Sequence, residues 1–318
     1  MKRRAGFFVF ATVLLILPLI FKDSYFLTVT GTTALFNACL AISLNLFMGF
    51  SGQVSLCHAA FYGIGAYSNA VFTTTYHFNP WISTIAGLFI TGSISFILAR
   101  PILKLKGHYL AMATLGLGII IHIFFVQADN ITKGPDGISG IPNLMFGKIN
   151  IKGDATWYYM ASLLTIFYTW LSLNLLDSRT GRALKAIHDG ETGAQVSGID
   201  TDKLKADVFV LTAMMASLAG SLLAHKEGFI SPESFNLQFS VELLTMIVIG
   251  GLGSIFGSLF GAVFLTSLPE FLSKFEDFEM LVYGLILIAT MIFMPQGLYV
   301  GISRFFTGIL KKLIKKDE

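Results

Sequence analysis

Apolar residues gather along this chain into ten runs, at 6–21, 27–48, 53–74, 80–99, 108–127, 157–176, 206–225, 240–250, 254–268 and 278–295, with short polar or glycine-rich stretches between them. Such runs predict helices that cross a lipid bilayer, whose hydrocarbon core takes about 20 helical residues to span. The eighth and ninth runs are too short to be independent spans, and they meet at Gly250, Gly251 and Gly253. They predict either two broken helices or one re-entrant hairpin, with a turn that must be covered by protein or water. The expected fold class is an all-α integral membrane protein. It is a polytopic helical bundle of about 10 transmembrane segments, with eight plus a re-entrant pair as the alternative. The whole chain, 1–318, reads as a single transmembrane domain.

Composition agrees with lipid as the solvent. Hydrophobic residues make up 54% of the chain and charged ones only 13%, with a mean hydropathy of +0.71. Soluble domains carry roughly 25% charged residues. Lys2, Arg3 and Arg4 ahead of the first run look like the start of a signal peptide. No small-residue cleavage site follows, so this run is read as a retained first helix. A net charge of +3, not gathered on one face, argues against a nucleic-acid partner and leaves membrane lipid as the surroundings. Cys39 and Cys57 lie inside apolar runs and read as small buried hydrophobes.

Charge then orients the bundle. With ten crossings and a cytoplasmic N-terminus, 16 Lys and Arg residues fall in inside segments and 6 outside. This split satisfies the positive-inside rule and puts both termini in the cytoplasm. Two connections are long. The outer loop, 128–156, contains GPDGISGIP at 134–142, a Gly- and Pro-rich composition that predicts ordered turns. The cytoplasmic loop, 177–205, has helical periodicity: Leu184, Ile187 and Gly190 share one face, Arg182, Lys185 and Asp189 another. Gly190, Gly193 and Gly198 are expected to break it into short pieces.

Gly253, Gly257 and Gly261 form a continuous GxxxGxxxG, and Ala213, Ser217, Gly220 and Ala224 a looser stripe. Both predict close helix packing, since small residues let backbones approach in lipid. Polar groups within the runs are the candidates for a solute path: Asn45, Gln53, His58 and Glu242. Such groups face a protein interior or a watery cavity. A neutral imidazole bonded to a neighbouring carbonyl accounts for His58 without any solute, and a helix-capping carboxylate after Ser240 accounts for Glu242. No catalytic motif is present: GxSxG, HExxH and paired metal-ligand histidines are missing from the sequence. With no GxxxxGK[ST] loop either, the chain is expected to bind no cofactor, and any ATP must be held by another polypeptide.

The segment 181–187, GRALKAI, followed by Glu191, Ala194 and Gly198, resembles the EAA loop of binding-protein-dependent ABC importers. Thr192 and Gly193 stand at its Glu-Ala positions, and Glu191 is displaced by one. Residues 44–46 and 52–61, the 134–142 segment and 240–261 extend the likeness across about residues 35–300. Together they resemble the LivM-type permease subunit of branched-chain amino acid ABC transporters. Cys57 stands where that family usually has Gly.

The resemblance implies a multi-pass protein of the bacterial inner membrane. It implies three kinds of partner: a second, LivH-type permease, two ABC ATPase subunits that bind the ATP, and a periplasmic or extracellular binding protein. Gly181, Arg182, Gly190, Glu191, Ala194 and Gly198 become the expected ATPase-coupling residues, and 128–156 a dock for the binding protein. Two alternatives stay open. One is a related importer for urea or amides. The other is an ion-coupled secondary transporter using Glu242 and His58 as a proton relay.

Overall fold

A computed structural model of the chain describes residues 2–20, 26–146, 149–272, 279–293 and 297. Lys22, Lys148, Lys274 and the five basic residues from Arg304 onward, all used in the charge count, lie outside the described residues.

Each of the ten apolar runs carries a helix: α1 (Lys2–Ile20), α2 (Gly31–Ser51), α3 (His58–Thr74), α4 (Pro80–Ile102) and α5 (His108–Gln127), then α7 (Asp154–Asp177), α10 (Thr201–Glu227), α11 (Leu237–Gly250), α12 (Ile255–Leu272) and α13 (Glu279–Phe293). Three shorter helices, α6 (Asp129–Thr132), α8 (Arg179–Asp189) and α9 (Glu191–Val196), lie in the two long connections. Among the described residues, six helical stretches are long and apolar enough to cross a bilayer, those of α2, α4, α5, α7, α10 and α12. The molecule is therefore a polytopic helical membrane protein. Of the two runs read as too short to cross, the ninth extends into α12, which at 18 residues is long enough, whereas α11 at 14 residues is too short to cross alone.

Polar residues at the helix starts delimit several of these elements. Asn79 caps α4 through Trp81 N, with Pro80 in the first turn, and Asp200 caps α10 through Lys203 N. Helix α2 is buried on nearly every face and forms the axis, with α7, α10, α11 and α12 packed around it. Helix α3 lies along α10 and α4, whereas α4 and α5 turn residues such as Phe89, Ile97, Met112 and Ile120 outward. The α3–α10 seam is very close: a Cβ on Gly65 would overlap the Ser217 backbone, and one on Gly220 the Tyr62 carbonyl. Ser221 Oγ donates to Gly65 O across it at 3.0 Å. With lipid outside, such close approach replaces the hydrophobic driving force that would hold a soluble core.

Helices α11 and α12 form a hairpin around residues 251–254. Gly257 and Gly261 lie in its seam, where Cβ atoms would overlap Gly250 and Met246 carbonyl groups. Gly253 occupies the turn with φ of 73°. The hairpin turn is stapled to the axis by Asn45, whose Nδ2 donates to Ser254 O at 3.0 Å and whose Oδ1 accepts from Gly253 N at 3.0 Å.

Two departures from the periodic reading concern the connections. The run at 53–74 becomes helical only at His58, because Gly52 ends α2 in the left-handed region (φ 70°) and residues 52–57 are neither helix nor strand. There Leu56 N donates to Thr114 Oγ1 at 3.1 Å, a side chain satisfying backbone that no helix serves. In the 128–156 connection the turns include α6 and the strands β1 (Ile138–Ser139), β2 (Met145–Phe146) and β3 (Ile149–Asn150). Strand β1 pairs antiparallel with β4 (Phe229–Ile230), which follows α10, and β2 pairs with β3. Helix α10, about 40 Å long at 27 residues, thus joins two opposite ends of the bundle: the α8–α9 end and the β1–β4 cap.

Candidate coupling site and solute path

Helices α8 and α9 bridge the long helices α7 and α10 with almost no slack. Ser178 alone separates α7 from α8, extended at ψ 177°, and its Oγ accepts from Gly181 N. Gly181 is buried so tightly against the end of α7 that a Cβ would overlap the Leu176 backbone. Arg182 points out and donates from Nη1 to Asp177 O at 3.2 Å. Leu184 and Ile187 lie on the buried face of α8, as the periodicity predicts, joined there by Gly181, whereas Gly190, expected on that face, is exposed and ends the helix. Gly193 lies inside α9 and does not break it. Gly198 does mark a break, with φ of 83° beyond the end of α9.

Ala194 is the buried residue of α9, and its carbonyl accepts from Ile199 N at 3.1 Å. Glu191 turns inward. Its Oε1 lies 2.6 Å from Lys205 Nζ and its Oε2 3.8 Å from Lys106 Nζ. Lys205 is 1% exposed, and its Nζ also donates to Leu103 O at 3.4 Å and approaches Asp202 at 3.6 Å. One buried ammonium therefore ties α9 to the base of α10 and to the α4–α5 connection. A buried charge is tolerable when paired and hydrogen-bonded in this way. Neither Lys205 nor Lys106 stood out in the sequence, where both were counted only as loop charge; no spacing rule links them to Glu191.

The four polar candidates for the path do not come together. Asn45 is fully buried in the hairpin staple, its Nδ2 also donating to Ser258 Oγ at 2.6 Å. Gln53 is half-buried and donates to Ser51 O at 3.3 Å. His58 is 1% exposed at the start of α3, its Nδ1 3.5 Å from Ser55 Oγ. Its Nε2 is buried without a partner among the described residues, so the carbonyl bond expected for it is not formed there. Glu242 lies on the exposed face of α11 and accepts from Gln238 Nε2 at 3.4 Å. The capping role considered for it belongs instead to Asn236, which accepts from Phe239 N at 2.9 Å. Ser240 Oγ accepts from Ala59 N at 3.3 Å, linking α11 to the first turn of α3.

Comparison with known proteins adds to this geometry. Residues 24–291 match the family described as branched-chain amino acid transport system, permease component. The high-affinity branched-chain amino acid transport system permease protein LivM of Salmonella typhimurium is 33% identical over 292 residues, 84% of this chain and 68% of the relative. The corresponding LivH protein of the same organism is 25% identical over 283 residues, 82% of this chain and 90% of the relative. The fructose import permease protein FrcC of Rhizobium meliloti is 28% identical over 203 residues, 60% of this chain and 55% of the relative. No solved structure matches the chain. On the extent of the family match and of the LivM identity, this chain belongs to the family of branched-chain amino acid transport permeases.

Proposed function

We propose that this chain is one membrane-spanning subunit of an ATP-driven importer of branched-chain amino acids (leucine, isoleucine, valine) in the bacterial inner membrane. A LivH-type permease is its membrane partner, two ATPase subunits bind the ATP, and a soluble binding protein delivers the solute. The α8–α9 end faces the cytoplasm and the β1–β4 cap faces outward. Likeness to both a LivM and a LivH protein supports a two-permease assembly.

The observation that carries the reading is the construction of α8–α9. Its inner face is locked to α7, α10 and the α4–α5 connection, while its outer face offers Val196, 86% exposed, beside the exposed Arg182, Lys185 and Gln195. One exposed apolar side chain is ordinary on a protein surface; the support for a partner contact here is the rigid anchoring of the element that carries it. Motion imposed there passes into two long helices without loss in a flexible loop. Within this reading Gly181, Ala194 and Gly198 shape the coupling element, Arg182 meets the ATPase, and Glu191 anchors the element from inside.

The test is a Val196→Cys variant of the full transporter, purified with its co-eluting subunits and treated with a short cross-linker that joins the thiol to a lysine amine of a neighbouring subunit. A cross-link to the ATPase, together with ATP-dependent leucine uptake in proteoliposomes, is the expected result. Leucine uptake by this chain alone, driven by an ion gradient, would sink the proposal and favour the secondary-transporter alternative.

A further inference from the structure

At the cap end, α2, α3, α10 and α11 line an open cleft of about 350 Å3. This falls at the small end of the range for small-molecule sites, roughly 300–1,000 Å3. Its walls are mostly aromatic or aliphatic: Phe36 from α2, Tyr62 from α3, Leu223 from α10 and Phe239 from α11. Tyr62 and Phe239 are ring neighbours at 5.8 Å, so that wall is continuous. Against it are set a few polar groups, Asn37 from α2, Glu227 from the last turn of α10 and Ser234 from the connection beyond.

Glu227 stands at the C-terminus of α10, where the helix carbonyls add to the negative charge of its carboxylate. Lys226 takes its Oε1 at 2.7 Å, which leaves Oε2. The Tyr62 ring adds a π face favourable to a cation. Ser234 adds a hydroxyl from the connection ahead of α11, which begins at Leu237. Asn37 holds its place by donating Nδ2 to Thr266 Oγ1 at 2.9 Å, and its Oδ1 is a further acceptor. A cleft with one carboxylate, neutral hydrogen-bonding groups and an aromatic and aliphatic wall is complementary to an amino acid with an apolar side chain.

The wall that carries Phe229 and Ser234 is also fixed to the outer loop. Ile138 and Ser139 pair with Ile230 and Phe229, Ile141 N donates to Gly228 O at 3.2 Å, and His225 Nδ1 lies 2.6 Å from Pro142 O. Whatever displaces the 134–142 segment therefore moves one side of this cleft.

We infer that this cleft is a solute subsite of the permease: it takes a free, branched-chain α-amino acid, with Glu227 receiving the ammonium group and Phe36, Leu223 and Phe239 the side chain. This rests on the import reading above. None of the path residues expected from the sequence lines it.

The test uses the assembled transporter with Ser234→Cys, against a background of Cys39 and Cys57, both buried. Millimolar leucine should slow labelling of residue 234 by a water-soluble maleimide severalfold. 4-Methylpentanoate, the same skeleton without the ammonium, should not. Adding Glu227→Gln should weaken the protection by leucine about tenfold, the loss expected for one charge-assisted hydrogen bond, and Glu227→Asp should restore part of it. Leu223→Trp, which fills the cleft, should abolish leucine uptake while ATP hydrolysis continues. Equal labelling with and without leucine, in a transporter that accumulates leucine, overturns the subsite and leaves the import reading intact. Protection by leucine in a fully assembled complex that accumulates none upholds the subsite and overturns the import reading.

Discussion

The two ends of α10 are fastened by different physics. At the α8–α9 end the lock is a buried cation: Lys205, 1% exposed, holds Glu191, Asp202 and Leu103 O together. At the cap end it is backbone pairing between β1 and β4, extended by Ile141 N to Gly228 O and by His225 against Pro142 O. A charge lock depends on single side chains, so one substitution can open it, whereas a backbone lock survives most side-chain changes. In the proposed importer this suits the tasks. The end driven by ATPase motion needs a discrete attachment, and the end that meets a soluble protein needs a surface that holds its shape.

The contrast can be broken most sharply at Glu191. Glu191→Ala leaves Lys205 buried with only Asp202 and a carbonyl, so it should cost about 3 kcal/mol, the lower end for breaking a buried pair. The expected readout is a lower melting temperature of the purified complex and more ATP hydrolysed per leucine imported. Lys205→Met should be milder, since it removes the buried charge and leaves Glu191 to Lys106. The charge-swapped double variant should recover part of the Glu191→Lys loss. Unchanged coupling in Glu191→Ala would show that the lock has no mechanical role.

A smaller effect is expected at Gly198→Val. The left-handed φ of 83° costs a residue with a Cβ roughly 1–2 kcal/mol. No neighbouring atom lies within 4 Å of the new Cβ, so the effect should be on the geometry of α9 and not on packing. ATP hydrolysis uncoupled from uptake, with normal membrane insertion, is the outcome to look for. Smallest of all should be Trp81→Phe at the cap end, which removes the 2.8 Å donation from Nε1 to Met145 O. About 1 kcal/mol or less is expected, with uptake unchanged; a large loss of uptake would mean the cap is less robust than its backbone pairing implies.

The ten apolar runs were legible because lipid imposes a simple demand: every backbone group must be paired within its own segment, so long apolar runs become helices. The amphipathic face of α8 was legible for the same local reason. Leu184 and Ile187 follow from a 3.6-residue period. The break at 52–57 was legible only at its start, where the glycine-flanked stretch 49–53 reads as a tight turn; nothing after it marks where α3 begins. What holds that stretch is Thr114, 58 residues away from Leu56. The path residues show the same limit. Asn45 and His58 are polar groups in apolar runs, but Asn45 serves as a staple and neither lines the cleft that Glu227, Asn37 and Tyr62 share.

By itself, the sequence determined the class of solvent, the number of helical runs, the helical pieces of the long polar connection and the family. All of these depend on composition and on residues close in the chain. Only the tertiary structure decided that α2 is the axis, that Lys205 reaches Glu191, and that the end of α10 and the start of α11 line one cleft. Those facts depend on which surfaces meet across tens or hundreds of residues, and helix packing in lipid is chosen by close steric fit, which no single segment encodes.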